Sequence, residues 1–200
     1  PRKAVHKLLY LIDNEASEAG LDVDLPFFWF QYGVVTPAEA DLNDNQIPDY
    51  EENKRERQTE LEANLRPLVR RVLRRYYSTS LEEVTDDTYR EAPYKVQRAW
   101  RALDKKLRTL HPEYPDFYEV EPSRDAIEES IFDVYESFPT GQFPELNDDL
   151  TKWYSMITRE LNQPEVEPAP LMEINVLFWR IFSLRLAEEH RHHMTKDEIR

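Results

Sequence analysis

Apolar residues recur at intervals of three and four along most of this chain, the spacing that places side chains on one face of an α-helix. In the first such segment, AVHKLLYLIDNEASEAG, the stripe consists of Val5, Leu8, Leu9 and Ile12. The segment closes at Gly20, and glycine is the residue best suited to the left-handed backbone that follows many helices. We therefore predict a first helix that ends near Gly20.

The next predicted elements are an aromatic segment and a long helix. The aromatic run LPFFWFQYGVV should fill the core between helices. The long helix should extend from about Tyr50 to Tyr77, although Pro67 is expected to kink or split it. Its predicted inward-facing residues are Leu61, Leu65, Val69, Val72 and Leu73.

Capping signals mark the helices of the remaining chain. Ser80 and Glu83 have the spacing of a capping box, and Pro93 stands in the first turn of a helix that runs through KVQRAWRALDKKLRTL. Ser123 and Asn147 stand where the N-caps of two further helices are expected, and a last helix is predicted in LMEINVLFWRIFSLRLAEEHRHH. No segment reads as a strand, so we predict an all-α protein of seven to eight helices.

A proline-rich connection separates two groups of predicted helices. It is the segment HPEYPDFYEVEP, residues 111–122. We predict an N-terminal helical lobe over residues 1–110 and a smaller C-terminal helical lobe over residues 111–200, with one continuous domain as the alternative. A chain of 200 residues is long enough to bury one full core.

The composition of the chain indicates the environment in which the protein works. Forty Asp and Glu against 26 Lys and Arg give a net charge of −14, and only three glycines occur. This balance is similar to that of haloarchaeal proteins, which stay in solution at high salt, and an ordinary acidic protein of the cytoplasm is the alternative. The absence of cysteine excludes thiolate zinc sites and fits a cytoplasmic location. The most apolar segment is interrupted by Arg180 and Arg185, so no membrane span is predicted.

Two stretches of the first half resemble one known family. The stretch KLLYLIDNEASEAG…FFWFQYGVVT resembles the opening of the Panacea domain, the SocA-like antitoxin family, in which a KLLYL helix precedes an aromatic stretch with a YGPV-like turn. The stretch LVRRVLRRYYSTSLEEVTDDTYREAPYKVQRAW is similar to the later helices of that family. Val34 stands where the family has proline, Tyr89 lies near its histidine, and Tyr94 replaces its tryptophan.

The resemblance implies a helical interaction module with no enzymatic activity. Panacea domains occur in toxin–antitoxin pairs, where they neutralise a partner toxin or act as adaptors for its disposal. We therefore expect a toxin-like protein partner and no required cofactor. The chain from Glu121 onward has no counterpart in the family, so the resemblance implies nothing about its role.

The stretch DLNDNQIPDYEE, residues 41–52, is the candidate cation site. A twelve-residue calcium loop takes oxygens from positions 1, 3, 5, 7, 9 and 12, which here are Asp41, Asn43, Asn45, the backbone of Ile47, Asp49 and Glu52. Gln46 replaces the glycine of the sharp turn, and only three of the side-chain ligands are charged, so Ca²⁺ binding should be weak. The alternative is an acidic bend that stabilises the N-terminus of the next helix.

A run of arginines in the long helix is the candidate partner-binding surface. At helical spacing, Arg66, Arg70 and Arg74 form one ridge, and Arg71 and Arg75 form a neighbouring one. A turn and a capped helix follow, which is also the outline of a helix-turn-helix DNA reader. Because a net charge of −14 opposes approach to a duplex, an arginine face paired with acids, or a docking site for an acidic partner, is favoured over DNA.

Signals for other metal sites and for enzyme active sites are weak in this sequence. The tail AEEHRHHM places Glu188 and Glu189 one helical turn before His192 and His193, a spacing that can hold a metal. Phosphate-binding and nucleophile-elbow motifs are missing from the sequence. The four tryptophans lie on apolar stripes and are predicted to be core residues: Trp29, Trp100, Trp153 and Trp179.

Together these patterns predict an all-α, non-enzymatic interaction protein of the cytoplasm that binds a partner protein. Two alternatives stay open. One is a DNA-binding transcriptional regulator that uses the helices of residues 66–90, and the other is a metal-dependent hydrolase that uses the acidic loop.

Overall fold

The residues described by the computed structural model, 2–23, 25, 27–30, 33–36, 52–111 and 121–191, form seven α-helices and one β-hairpin. The predicted mainly all-α fold is therefore confirmed. A short 3₁₀ turn, Pro144–Leu146, precedes the sixth helix. The helices are α1 (Arg2–Glu18), α2 (Glu52–Arg75), α3 (Leu81–Arg90), α4 (Lys95–Thr109), α5 (Arg124–Ser137), α6 (Asn147–Leu161) and α7 (Pro168–Arg191), and the hairpin strands are β1 (Phe28–Phe30) and β2 (Gly33–Val35).

The hairpin corrects the prediction that the chain has no strand. Its antiparallel register places Trp29 opposite Val34, and both side chains are 2% exposed. Trp29 and Val34 of the predicted aromatic core segment are thus buried as expected, and Phe27, Phe28 and Val35 are half-buried. Gly33 has a φ of 101°, a conformation that glycine adopts without strain. The backbone N–H of Thr36 donates to Nδ1 of His6 over 3.3 Å, which ties the end of the hairpin to α1.

Contacts divide the chain into two compact units. The terminal unit comprises Pro1–Thr88 with Ala187–Arg200, and the central unit comprises Tyr89–Leu186. Most of the predicted boundary segment, residues 112–120, lies outside the described residues. The division into lobes of 1–110 and 111–200 therefore stays a prediction.

The core of the terminal unit lies between α1, α2 and α3. Leu11 and Ile12 of α1 pack with Val72 of α2 and Val84 of α3. The prediction that Leu73 also faces inward is wrong, since it is 47% exposed. One residue advances a helix by about 100°, so burial of Val72 turns its neighbour outward.

Two local signals in the terminal unit act as predicted. α1 ends in a Schellman motif, in which the N–H groups of Gly20 and Leu21 donate to the carbonyls of Ser17 and Ala16 and Gly20 takes a φ of 74°. Ser80 and Glu83 form the predicted capping box, with reciprocal bonds of 3.0 and 3.1 Å. Pro67, which was expected to kink or split α2, lies inside one continuous helix, so the split does not occur.

The central unit is built on stacked aromatic side chains. The indole rings of Trp100 on α4 and Trp179 on α7 stack with centroids 4.1 Å apart, and Trp153 of α6 stacks on Phe178 at 5.0 Å. All four tryptophans of the chain are at most 5% exposed, which confirms that they are core residues.

The N-caps of α5 and α6 were predicted with mixed success. Ser123 caps α5, since its hydroxyl accepts from the N–H of Ala126 over 3.2 Å. Asn147 does not cap α6, because the 3₁₀ turn continues directly into that helix and Leu146 takes the cap position. Among the described residues, none of the helices combines the length and apolar character needed to cross a membrane.

Candidate protein-interaction surface

The five arginines predicted as one partner-binding site are divided into two groups by the packing of α2. Leu68 and Val72 are buried, so the opposite side of the helix faces solvent. Arg66, Arg70 and Arg74 project from that opposite side, whereas Arg71 and Arg75 lie at its border, next to α1. The two ridges predicted from the spacing are both present, but they have different neighbours.

Arg71 and Arg75 form ion pairs within the fold. Nη1 of Arg75 lies 3.0 Å from Oε1 of Glu15, and Nη1 of Arg71 lies 3.6 Å from Oε2 of the same carboxylate. The carboxylate side chain is only 16% exposed, while the two arginine side chains are more than half exposed. These two arginines therefore compensate a largely buried charge on α1, and their first role is to hold α1 against α2.

The Arg75 pair continues into a hydrogen-bonded network. The hydroxyl of Tyr76 donates to Oδ2 of Asp87 over 2.6 Å, which connects α2 with α3. The pKa of Arg75 is raised, first by the hydrogen bond with the Tyr76 side chain and then by the charge of Glu15. The pKa of Tyr76 is raised mainly by burial and then by Asp87. Glu15, Arg75, Tyr76 and Asp87 thus join three helices.

Arg66, Arg70 and Arg74 line an open groove. Together with Arg71, Ala63 and Pro67 they border a depression of about 480 Å³ on the exposed side of α2. All three are exposed, and among the residues that the structure describes no acidic side chain forms an ion pair with them. Their charge is therefore directed at solvent and is accessible to a partner.

Two large apolar side chains extend the same surface. Leu73 is 47% exposed, and Tyr77, just beyond the C-terminus of α2, is 91% exposed. Positions 66, 70 and 73 share one face of α2, and Tyr77 lies in the turn that follows. We call this set, Arg66, Arg70, Leu73, Arg74 and Tyr77, the arginine surface. Tyrosine and arginine are the residue types enriched at the energetic centres of protein interfaces.

The candidate calcium site lies outside the described residues. Asp41, Asn43, Asn45, Ile47 and Asp49 are not described, and Glu52 is described only as the first residue of α2. His192 and His193 also lie outside the described residues, so the candidate metal site of the tail stays a prediction. In the part of the chain that the structure covers, groups of three or more potential metal ligands do not occur.

The central unit contains a buried charged cluster that the sequence prediction did not include. Oδ2 of Asp104, which is 2% exposed, accepts from Nε of Arg108 over 2.8 Å and from Nη1 of Arg101 over 3.4 Å. The guanidinium of Arg101 lies 5.9 Å from the ring centroid of Tyr89. Burial raises the pKa of Asp104 above its ordinary value, and Arg108 and Arg101 oppose that rise. Burial likewise raises the pKa of Tyr89.

A serine and a lysine also meet in the central unit. Nζ of Lys106 donates to Oγ of Ser130 over 2.7 Å and to the carbonyl of Ala126 over 2.9 Å. The hydroxyl of Ser130 is itself a donor to the carbonyl of Ala126 over 3.2 Å, and the residue is 4% exposed. The hydroxyl proton is directed at a carbonyl and not at a base, and the serine is closed to solvent. The contact therefore holds α4 against α5 and does not activate a nucleophile.

The sequence contained a signal for one of these missed features. Asp104 and Arg108 are one helical turn apart, and Arg101 precedes Asp104 by three positions, so their pairing follows from helical spacing alone. With 40 acids in the chain, that spacing does not distinguish a buried pair from exposed ones. The contact between Lys106 and Ser130 joins two helices and has no local signal.

Comparisons of the chain with protein-family models, with curated proteins and with solved structures give no match.

Proposed function

We propose that this chain is a non-enzymatic interaction protein of the cytoplasm, and that its arginine surface binds an acidic region of a partner protein. The observation that carries the proposal is the exposure of Arg66, Arg70 and Arg74 beside Leu73 and Tyr77 on a chain with a net charge of −14. A cationic surface on an anionic protein selects for a complementary anionic partner.

The apolar members of the surface favour a protein partner. Exposed ion pairs contribute only about 0 to 1 kcal/mol each, so three arginines alone would bind weakly. Tyr77 and Leu73 supply apolar area that a partner can bury, with the arginines around it to orient acidic side chains. This combination matches the composition of protein interfaces, in which an apolar centre is surrounded by a polar rim.

Duplex DNA fits the same surface less well. A duplex carries one phosphate charge per about 1.7 Å of its axis, so a chain of net charge −14 is repelled along the whole length of the duplex. An acidic patch on a protein has a lower charge density and can offer apolar side chains to Tyr77. DNA binding nevertheless supplies the comparison arm of the experiment, because α2 is followed by a turn and the capped helix α3.

The resemblance to Panacea domains supports a toxin-like protein as the partner. In that family the interaction modules occur in toxin–antitoxin pairs, and the segments that resemble it include α1, the hairpin and α2. The acidic composition supports a protein adapted to high salt. At high salt, exposed charge pairs are screened, so apolar contacts such as those of Tyr77 should contribute a larger share of the binding free energy.

The experiment measures binding of the protein encoded beside this chain's gene, by calorimetry, with a short DNA duplex tested in parallel. The double charge reversal Arg70→Glu with Arg74→Glu should weaken binding by about tenfold or more, since it places like charges opposite the acidic partner. Lys95→Glu with Arg159→Glu is the matched control, because both residues are exposed, lie in the central unit and change the net charge equally.

The control should bind within about twofold of the unmodified chain, as expected when a change in net charge acts only at long range. Equal affinities of the reversed and the control variants would exclude the arginine surface. Binding of the duplex but not of the encoded protein would replace a protein partner by DNA. Circular dichroism of each variant serves as the folding control, and the helical signal should be unchanged.

A further inference from the structure

Pro67 lies inside α2 on its exposed side, in the depression beside the arginine surface. We call this depression the Pro67 groove; its lining residues are Ala63, Arg66, Pro67, Arg70, Arg71 and Arg74. Proline is the least favourable residue in a helix interior, because it has no N–H to donate and its ring crowds the carbonyl four residues earlier. Since Pro67 is exposed, burial of its ring in the core does not offset this cost.

The missing N–H changes the hydrogen-bonding character of the groove. In an α-helix the N–H of residue 67 would donate to the carbonyl of Ala63, and proline cannot form this bond. Helical carbonyls point toward the C-terminus of their helix, so the carbonyl of Ala63 points along the groove toward Pro67. Both residues are exposed and have short side chains, so a ligand can reach that oxygen. The groove thus combines a backbone acceptor with guanidinium donors.

The guanidinium groups along the groove are regularly spaced. Arg66, Arg70 and Arg74 follow one another at four-residue intervals, and each interval is a rise of about 6 Å at 1.5 Å per residue. Side chains on one face of an extended chain recur at every second residue, about 6.6 Å apart. An extended segment with acids at alternate positions therefore matches the three arginines in both charge and spacing. A helix with acids at every fourth residue matches them as well.

The carbonyl of Ala63 distinguishes these two kinds of ligand. Inside a helix the backbone N–H groups are bonded to carbonyls of the same helix, whereas an isolated extended segment has free N–H groups between its side chains. One such N–H can donate to the carbonyl of Ala63 while neighbouring carboxylates accept from Arg66 and Arg70. An extended acidic segment therefore uses both features of the groove, and a helix uses only one.

We propose that the Pro67 groove binds an extended acidic segment of the partner protein, with acids at alternate positions and one backbone N–H donated to the carbonyl of Ala63. The inference rests on the proposed function, since it specifies the kind of segment that the arginine surface recognises. Pro67 is then a residue that determines specificity, because it lowers the stability of α2 and keeps the acceptor of the groove accessible. A variant that restores the helical bond should be more stable and should bind less well, and a purely structural role would not produce this combination.

The first experiment titrates the full chain with two capped peptides and follows the arginine side-chain N–H signals by NMR. One peptide has three glutamates at alternate positions, separated by threonines, and the other is an alanine-rich helix with three glutamates at every fourth position. The alternating peptide should bind with a dissociation constant of about 1 mM or lower at low salt, and the helical peptide should bind more weakly. Absence of binding by the alternating peptide, or equal or tighter binding of the helical one, overturns the proposal.

The second experiment uses Pro67→Ala to remove the accessible acceptor. Alanine restores the N–H, so Tm should rise by about 5 °C or more, while binding of the alternating peptide weakens by about threefold to tenfold through loss of one hydrogen bond. Asn64→Ala is the matched control, because Asn64 is exposed on α2 and does not line the groove, and alanine again improves helix propensity. The control should raise Tm slightly and leave binding unchanged. Unchanged binding by Pro67→Ala overturns the proposal.

Single N-methyl groups on the peptide backbone identify the donor. At one position, methylation should weaken binding to the unmodified chain by about threefold to tenfold and add little to the loss already caused by Pro67→Ala. Additive losses at every position would overturn the backbone hydrogen bond. Arg70→Glu with Arg74→Glu separates this inference from the proposed function. If the charge reversal weakens peptide binding and Pro67→Ala does not, only the groove inference fails, and if neither has an effect, both fail.

Discussion

Replacement of Trp179 by alanine should strongly destabilise the central unit. The indole is 1% exposed, stacks on Trp100 at 4.1 Å and makes an edge contact with Phe182 at 5.9 Å. Truncation of a buried tryptophan costs about 3 to 5 kcal/mol, because it loses both the transfer free energy and the contacts around the cavity. Met156→Ala is the control, since that side chain is 52% exposed and should change the free energy of unfolding by less than about 1 kcal/mol.

The size of the melting shift also reports how the chain unfolds. Unfolding entropy is about 2.1 cal/mol/K per residue, so a loss of 4 kcal/mol lowers Tm by about 20 °C if a unit of about 100 residues melts alone. The same loss lowers Tm by about 10 °C if all 200 residues melt together. Scanning calorimetry at fixed salt gives both the shift and the number of transitions. A change as small as that of Met156→Ala would refute the view that the stacked indoles hold the central unit together.

Two further predictions concern single side chains. Gly20→Ala should lower the free energy of unfolding by about 1 kcal/mol, because Gly20 has a φ of 74° that an alanine adopts only with strain. Gly141→Ala should be close to neutral. At both sites the added methyl group would meet no other atom, so the backbone conformation alone separates the two variants. Urea titration of both variants tests this, and an equal effect would contradict it. Asp104→Asn tests the raised pKa of Asp104. Above about pH 4 the unfolded chain has released the Asp104 proton, whereas the native state still retains it. The difference in unfolding free energy between the unmodified chain and the variant should therefore shrink as pH rises. A difference that grows with pH would show that the arginines outweigh burial.

The sequence predicts the helices well because their apolar residues and caps are local signals. The capping box of Ser80 and Glu83 and the C-terminal motif at Gly20 involve residues only a few positions apart, and both have the expected geometry. The hairpin was missed because each strand has three residues, which is shorter than the four to eight needed to recognise alternation.

The candidate site was predicted as a set of residues but not as an arrangement. Helical spacing places the five arginines on two adjacent ridges, and the structure retains both. Helical spacing within α2 cannot show that Glu15, about sixty positions earlier, lies against the ridge of Arg71 and Arg75. That contact depends on how α1 packs on α2. The exposure of Leu73 could not be predicted for the same reason. It depends on which side of α2 packs in the core, and the structure buries Val72.

The division of the arginines follows from rotation around a single helix. Val72 and Leu68 define the buried side of α2, so residues 71 and 75 reach the edge of α1 while residues 66, 70 and 74 cannot. Glu15 needs cations because its carboxylate is largely buried, and an unpaired buried charge is costly. Once two arginines meet that need, the remaining three add nothing that the described fold requires. Their presence beside an exposed tyrosine on an acidic protein is the observation from which we propose that the arginine surface binds a partner.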